Sequence, residues 1–409
     1  MKKKETIVID NKIPFIQGIL EPYADIRYLS PQEITHDAVH DADMLIIRTR
    51  TRCNADLLEG SRCRFIGTAT IGFDHIDTEY CRRHAIEWVN APGCNAASVA
   101  QYITASLLRH AEKQAIDLRT KCIGIVGVGH VGRQVEIHCR RLGMQVLLND
   151  PPRAEKEGKG EFVSLEEIAD RCDYISFHTP LIKEGSYATY HLADQVFFDR
   201  LQRCPVILNA ARGGVVDEQA LLEAYRNHIV SDMIIDCWEN EPDVSTELLQ
   251  KTFIGTPHIA GYSADGKANA TRAMITVVAD RLQIKIDLSA IQPPQPENPI
   301  IALPGTEQDF SQAVWTTYDP IKDSLALKNT DPQINAEALN KKRLNKDTLF
   351  KFMSFAPTDP KKKRIIKEEM PNQRFINRSD KYAPRTPVQF STDPRLVNKS
   401  PKGTFSILL

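Results

Sequence analysis

With 409 residues, 42% of them hydrophobic and 26% charged, the chain has apolar material for two or three domains with sizeable cores. Fifty-two basic against 53 acidic residues leave a formal charge of −1, which argues against a molecule built as a whole for nucleic acid or a membrane surface. The basic start is followed by an apolar run, Thr6 to Asp10, too short for a secretory signal, and no apolar run approaches the ~20 residues of a membrane span, so a cytoplasmic protein is expected. Nine cysteines at irregular spacing, none in a CxxC pair, predict unpaired thiols, with no disulfide framework and no metal site.

Short apolar or β-branched runs at Thr6–Ile9, Met44–Ile47, Phe65–Gly67 and Glu87–Asn90, separated by helical stretches, predict a small parallel α/β domain. The Ala- and Leu-rich stretch Ala96–Ala111 predicts a helix that crosses into a second domain. There the run Ile123 to Val128 reads as a buried parallel strand that breaks into Gly127, Gly129 and Gly132, with His130 and Val131 between the last two, before a helix begins. Glycines at that spacing permit a tight turn, close approach of backbone N–H groups to a pyrophosphate, and close packing of helix on strand. The helix N-terminus then offers its positive end to the phosphates. A second apolar run, Val146–Asp150, ends in an acid about 20 residues downstream, where a ribose 2′-hydroxyl needs an acceptor. NAD is the expected cofactor. Further strands are expected at Tyr174–Phe177, Val206–Asn209 and Met233–Asp236, and the helical run Lys267–Leu282 is read as returning to the first domain. The expected division is 1–95 with 259–286 as a smaller flavodoxin-like substrate-binding (lid) domain, into which a doubly wound Rossmann-type sheet, 96–258, is inserted.

Ligands of doubly wound sheets bind at the carboxyl ends of the strands. Three polar residues follow such strands: Arg212, Glu241 and His258. An arginine on a glycine-bordered turn suits a bidentate grip on a carboxylate. A histidine titrates near neutrality and can take a hydroxyl proton while hydride leaves the carbon. A carboxylate on its other nitrogen fixes the tautomer and favours imidazolium.

The Arg212, Glu241 and His258 set together with Gly127–Gly132 resembles the D-isomer-specific 2-hydroxyacid dehydrogenases. The strings Gly67–His75, Ala91–Asn95, Asp150–Arg153, Phe177–Leu181 and His258–Tyr262 are similar to one branch of that family, which acts on a small phosphorylated hydroxyacid. The resemblance implies an NAD-dependent oxidoreductase and a homodimer. Carried over position by position, it implies catalysis by Arg212, Glu241 and His258, with His258 as proton donor or acceptor. Cofactor contacts then fall to Gly127, Gly129, His130, Val131, Gly132, Asp150, Thr179, Ala210, Ala211, Arg212, Asp236 and Gly261, and substrate contacts to Thr49, Thr70 and Tyr262. It also marks 287–336 as part of a C-terminal dimerisation region.

Beside the resemblance, the residues leave alternatives open. The run Arg48-Thr-Arg-Thr-Arg52 reads either as an anion site at a strand end or as an alternating edge strand with a solvated basic face. Asp236 reads as a partner of the nicotinamide carboxamide or as a cap on its strand end, and Cys94 as packing. From 337 to 409 the chain is basic, with a net charge of about +11 from Asn340 onward and little periodicity; it is expected to be a disordered tail, the alternative being a segment for nucleic acid or another polyanion. No membrane or nucleic-acid partner is expected for the folded part. A dehydrogenase for a neighbouring hydroxyacid such as 3-phosphoglycerate, hydroxypyruvate or glyoxylate, and an NAD-responsive binding protein, remain the other functional readings.

Overall fold

The structure is a computed structural model that describes residues 4–158, 160–241, 244–293, 300–303, 307–329 and 405–408. It contains two compact units, Met1–Ala96 with Tyr262–Gln295, and Ala97–Gly261 with the described residues beyond Pro296.

In the first unit, β1 (Thr6–Asp10), β2 (Asp25–Leu29), β3 (Met44–Ile47), β4 (Phe65–Thr68) and β5 (Glu87–Val89) form a parallel sheet in the order β2-β1-β3-β4-β5. That is the flavodoxin-like order. Because side chains alternate along a strand, Ile7, Ile9, Met44, Ile46 and Phe65 enter one core, while Val8, Leu45, Ile47 and Ile66 enter the core on the opposite face. The helix Ala264–Leu282 seals the first of these with Met274, Ile275 and Val278. Strand β2 escaped the periodicity reading because Asp25-Ile-Arg-Tyr-Leu29 carries charges and sits at the sheet edge, where only half of it is covered.

In the second unit, β6 (Cys122–Val126), β7 (Gln145–Asn149), β8 (Tyr174–Phe177), β9 (Val206–Asn209), β10 (Asp232–Ile235) and β11 (Ile254–Gly255) run parallel in the order β11-β10-β9-β8-β6-β7. The chain builds outward from β6 first to one side, as β7, and then to the other, from β8 onward. The switch point therefore lies at the carboxyl end of β6, where the glycine-rich turn begins. Helix Ala96–Gln114 covers one face through Val99, Tyr102, Ile103 and Leu107, and the opposite core holds Ile168, Phe197, Phe198 and Leu221. The two-residue β11 is too short to give a sequence pattern.

The helices Glu307–Thr317 and Pro320–Lys328, within the stretch expected to pair subunits, have a place in this chain's own second unit. Trp315 and Tyr318 are buried with Tyr102 and its neighbours, Arg109 makes a bidentate pair with Asp319 at 3.1 and 2.6 Å, and the Ser324 hydroxyl accepts from Gly255 N–H. Most of the basic stretch 337–409, expected to be disordered, lies outside the described residues. Its last described segment departs from that expectation: β13 (Phe405–Leu408) pairs antiparallel with β12 (Ile300–Leu303). Phe405-Ser-Ile-Leu408 is apolar enough to form a strand, unlike the lysine-rich residues before it.

Candidate active site

The turn after β6 meets the three separate demands of the glycine fingerprint. Gly127 takes φ +88°, and a Cβ there would lie 2.8 Å from the backbone of His178 and Thr179. At Gly132 a Cβ would lie 2.0 Å from the Gly127 carbonyl oxygen, so only glycine lets the helix His130–Arg141 pack against the turn. Gly129 faces open space, with nothing within 4 Å of an added Cβ. It is also the N-cap of that helix and supplies no capping side chain, so the first N–H groups stay available to an anion. His130 and Val131 open the helix. Next door, at the end of β8, the Thr179 hydroxyl is buried with no hydrogen-bond partner among the described residues. These features fit a dinucleotide: room at the pyrophosphate position and an unused polar atom beside it.

Asp150, after β7, accepts from Val128 N–H at 2.8 Å and from Arg153 N–H at 3.1 Å, so its carboxylate is tied to the glycine turn. Arg153 returns a hydrogen bond to the Val128 carbonyl and is otherwise held by Glu157. An arginine engaged in this way is poorly placed to welcome a 2′-phosphate. The wild-type protein is therefore expected to use NAD with at least ~100-fold higher kcat/KM than NADP, and Asp150→Ser to narrow that ratio; equal use of both by the wild type would refute the assignment of Asp150.

Arg212, Glu241 and His258 follow β9, β10 and β11, three neighbouring strands, so all three stand at one end of the sheet. The Arg212 turn is pinned by Asn209, whose amide donates to the Arg212 carbonyl and accepts from Ala211 N–H. A Cβ on Gly213 would lie 1.9 Å from the Trp238 carbonyl oxygen, so this glycine brings the turn into close contact with the segment that leads to Glu241. Ala211 is buried and Ala210 partly buried in the same turn.

His258 Nδ1 and Glu241 Oε2 are 2.8 Å apart, and the other Glu241 oxygen accepts from Trp238 N–H at 2.7 Å. His258 adopts φ +56° and Asn240 φ +62°, left-handed values that cost non-glycine residues about 1 kcal/mol or more and persist where neighbours over-determine them. The neighbours here centre on Asp236. Its backbone carbonyl accepts from His258 N–H, and its carboxylate accepts from Thr256 Oγ1 at 2.6 Å, Ile259 N–H at 2.8 Å and Ala260 N–H at 2.9 Å. Tyr102, from the covering helix, bonds the Thr256 hydroxyl at 2.7 Å. Asp236 thus caps its strand end and fixes the Thr256–Ala260 loop.

The buried Cys237 sulfur and the Glu241 carboxylate both favour imidazolium and outweigh burial, holding His258 well above the ordinary histidine range. Burial raises the Cys237 thiol as well, keeping it neutral near pH 7, so the Glu241 carboxylate carries the effect there. Donor atoms of Cys237, Glu241 and His258 lie within 4.8 Å of one another. The His258 side chain remains 35% exposed, as a group that exchanges a proton with a ligand requires. Cys237 was not singled out in the sequence, where one cysteine after a strand carries no signal. Gly261 closes the second unit just beyond this loop.

The other expected contacts lie in the first unit. Arg48–Arg52 is a loop beyond the carboxyl end of β3, which is flanked by β1 and β4; the edge-strand reading of this run fails, and exposed Thr49 stands in the loop. The Thr70 hydroxyl donates to the Gly72 carbonyl and meets Thr68 Oγ1 at 2.8 Å. Tyr262 is partly buried, with the Lys267 ammonium 3.6 Å from its ring centroid. Burial pushes the Cys94 thiol up to about 12, and Cys94 packs against the core of this unit.

An NAD-type fingerprint at the switch point and a histidine–carboxylate pair at the ends of adjacent strands define the chain as an NAD-dependent dehydrogenase of the 2-hydroxyacid class. Residues 95–260 match the family model of the D-isomer specific 2-hydroxyacid dehydrogenase NAD binding domain. The chain belongs to the erythronate-4-phosphate dehydrogenases. It is 54% identical over 324 residues to erythronate-4-phosphate dehydrogenase of Bacteroides thetaiotaomicron and 52% identical over 324 residues to that of Bacteroides fragilis, in each case covering 79% of this chain and 92% of the relative. Among solved structures, the NAD-bound 3-phosphoglycerate dehydrogenase of Entamoeba histolytica is similar at a TM-score of 0.58 and 25% identity, covering 69% of this chain and 96% of that one. No described helix is long and apolar enough to cross a membrane.

Proposed function

We propose that the protein oxidises 4-phospho-D-erythronate to (R)-3-hydroxy-2-oxo-4-phosphooxybutanoate, a step toward pyridoxal 5′-phosphate. The single observation that carries the chemistry is the His258–Glu241 pair at 2.8 Å, placed at the same end of the sheet as Arg212 and the glycine turn. The substrate assignment rests on the relatives that bear that activity's name. Bound NAD supplies the hydride acceptor. Arg212 grips the substrate carboxylate, whose planar geometry matches the guanidinium fork. His258 takes the proton of the 2-hydroxyl, and Glu241 stabilises the imidazolium that results. Thr49, Thr70 and Tyr262 are assigned to the substrate, and Thr179, Ala210, Ala211 and Gly261 to the cofactor, through the family likeness. Nine free thiols and a charged, phosphorylated substrate support a cytoplasmic site of action, and the active form is taken to be a homodimer, for which sedimentation equilibrium is the check.

NAD reduction measured side by side with 4-phospho-D-erythronate and 3-phosphoglycerate tests the reading. The first is expected to be preferred by roughly 100-fold or more in kcat/KM. Faster turnover of 3-phosphoglycerate would overturn it.

Oxidation needs His258 neutral, so activity should fall as pH drops through its raised pKa. Removing the negative charge by Glu241→Gln takes away what favours imidazolium and lowers that pKa. The acid limb of kcat/KM for oxidation is then expected to move to lower pH, with a reduced plateau. A pH profile that keeps its acid limb in place would show that Glu241 does not set the histidine's protonation.

A further inference from the structure

We propose that the first unit carries the subsite for the substrate's phosphate, formed by the Arg48 guanidinium, the Lys267 ammonium and the Tyr262 hydroxyl; this rests on the phosphorylated-substrate reading above. Arg48 comes from the loop beyond β3, whereas Tyr262 and Lys267 flank the N-cap of the helix Ala264–Leu282. The fold therefore gathers residues more than 200 positions apart. Lys267 Nζ lies 3.6 Å from the centre of the Tyr262 ring. The Arg48 guanidinium, which donates to the Lys12 carbonyl at 3.3 Å, and Arg50 both place positive potential at the hydroxyl of the same tyrosine.

Charge balance makes this arrangement expensive unless an anion completes it. Burial, with Arg48 as a like charge, pushes the Lys267 ammonium down to about 7. Lys267 and Arg48 form no ion pair among the described residues, although most other buried or half-buried cations of this unit do; Arg62, for instance, pairs with Asp43. The acid that feels the cluster is Asp10 at the end of β1, yet it is buried and already accepts from Lys12 N–H, with Arg48, Lys12 and Arg50 all acting on it. Lys267 also stands in the first turn of a 19-residue helix, the end where the backbone dipole disfavours a cation. A buried ammonium over the tyrosine ring, with a guanidinium as a like charge beside it, is costly by itself and favourable around a dianion. A phosphate accepts two N–H bonds from the arginine fork, one or more from the ammonium and one O–H bond from tyrosine, and its charge returns Lys267 to the protonated form. A monoanionic carboxylate leaves one cation unmatched, which is why the cluster suits the phosphate end of the substrate.

The test compares kcat/KM for 4-phospho-D-erythronate with that for D-erythronate in the wild type, Lys267→Met, Lys267→Arg and Arg48→Gln, with NADH fluorescence reporting that each variant is folded. Lys267→Met and Arg48→Gln are each expected to cut the preference for the phosphorylated substrate by roughly 10- to 100-fold, the scale of lost charge-assisted hydrogen bonds, and Lys267→Arg to restore most of it. Inorganic phosphate gives an independent readout: it should inhibit the wild type competitively against substrate and lose that effect in Lys267→Met. An unchanged preference, or equal losses on both substrates, would overturn the subsite and leave the substrate reading standing. A wild type that ignores 4-phospho-D-erythronate but turns over another 2-hydroxyacid, and is inhibited in that reaction by phosphate in a Lys267-dependent way, would retain the subsite and sink the substrate reading. Absence of both effects would overturn both.

Discussion

Replacing His258 by asparagine is expected to lower kcat for 4-phospho-D-erythronate by roughly 10²–10⁴-fold while leaving NADH affinity close to that of the wild type. Asparagine can still occupy the left-handed backbone that His258 adopts, since it tolerates φ near +56° better than most residues. It can also retain a hydrogen bond to Glu241. What it cannot do is accept a proton at neutral pH. The loop should survive, because its anchors are the Asp236 carboxylate, Thr256 and the backbone of Ile259 and Ala260 rather than the imidazole. Stopped-flow single turnovers separate proton-coupled hydride transfer from product release. A variant whose single-turnover rate stays within threefold of the wild type would remove His258 from the mechanism.

A methyl group at Gly132 is expected to damage both stability and cofactor binding. The added Cβ would sit 2.0 Å from the Gly127 carbonyl oxygen, which is backbone and cannot swing aside, so the helix His130–Arg141 and the glycine turn must separate. Overpacking of this kind costs about 1–3 kcal/mol, and the displaced N–H groups should lower NADH affinity at least ~10-fold. Gly129→Ala is the informative partner. Nothing lies within 4 Å of its Cβ, so its melting temperature should match the wild type while its NADH affinity falls, because the methyl occupies the space through which a pyrophosphate approaches. Calorimetry and NADH titration of the two variants distinguish packing from ligand contact. Wild-type affinity in Gly129→Ala would place the dinucleotide somewhere else.

Much of this could be read along the chain because the relevant signals are local. A buried parallel strand needs an unbroken apolar run, as in Met44–Ile47, Tyr174–Phe177 and Val206–Asn209, and these appear as strands with the expected bounds. The glycine spacing at 127, 129 and 132 was legible because a turn from strand to helix constrains consecutive residues. Arg212 and Glu241 could be singled out because each follows such a strand, and His258 because the three together resemble the family's Arg, Glu and His set. By contrast β2 and β11 could not be found, one being charged at an edge and the other two residues long. The placement of Trp315 and Tyr318 in the core of the second unit was equally hidden, since an amphipathic helix shows that it has an apolar face but not which surface will cover it.

What the amino-acid order by itself determined is therefore the pair of parallel α/β sheets and the dinucleotide turn, set by periodicity and by backbone demands within a few positions. The tertiary structure alone decided the state of the polar residues at the strand ends. It set the 2.8 Å contact that raises His258, the consumption of the Asp236 carboxylate by three donors from its own loop, and the meeting of Arg48 with Tyr262 and Lys267. Protonation and charge balance depend on distance and burial, and for groups that lie far apart in the chain these exist only once the sheets have formed and their carboxyl ends have brought the loops together.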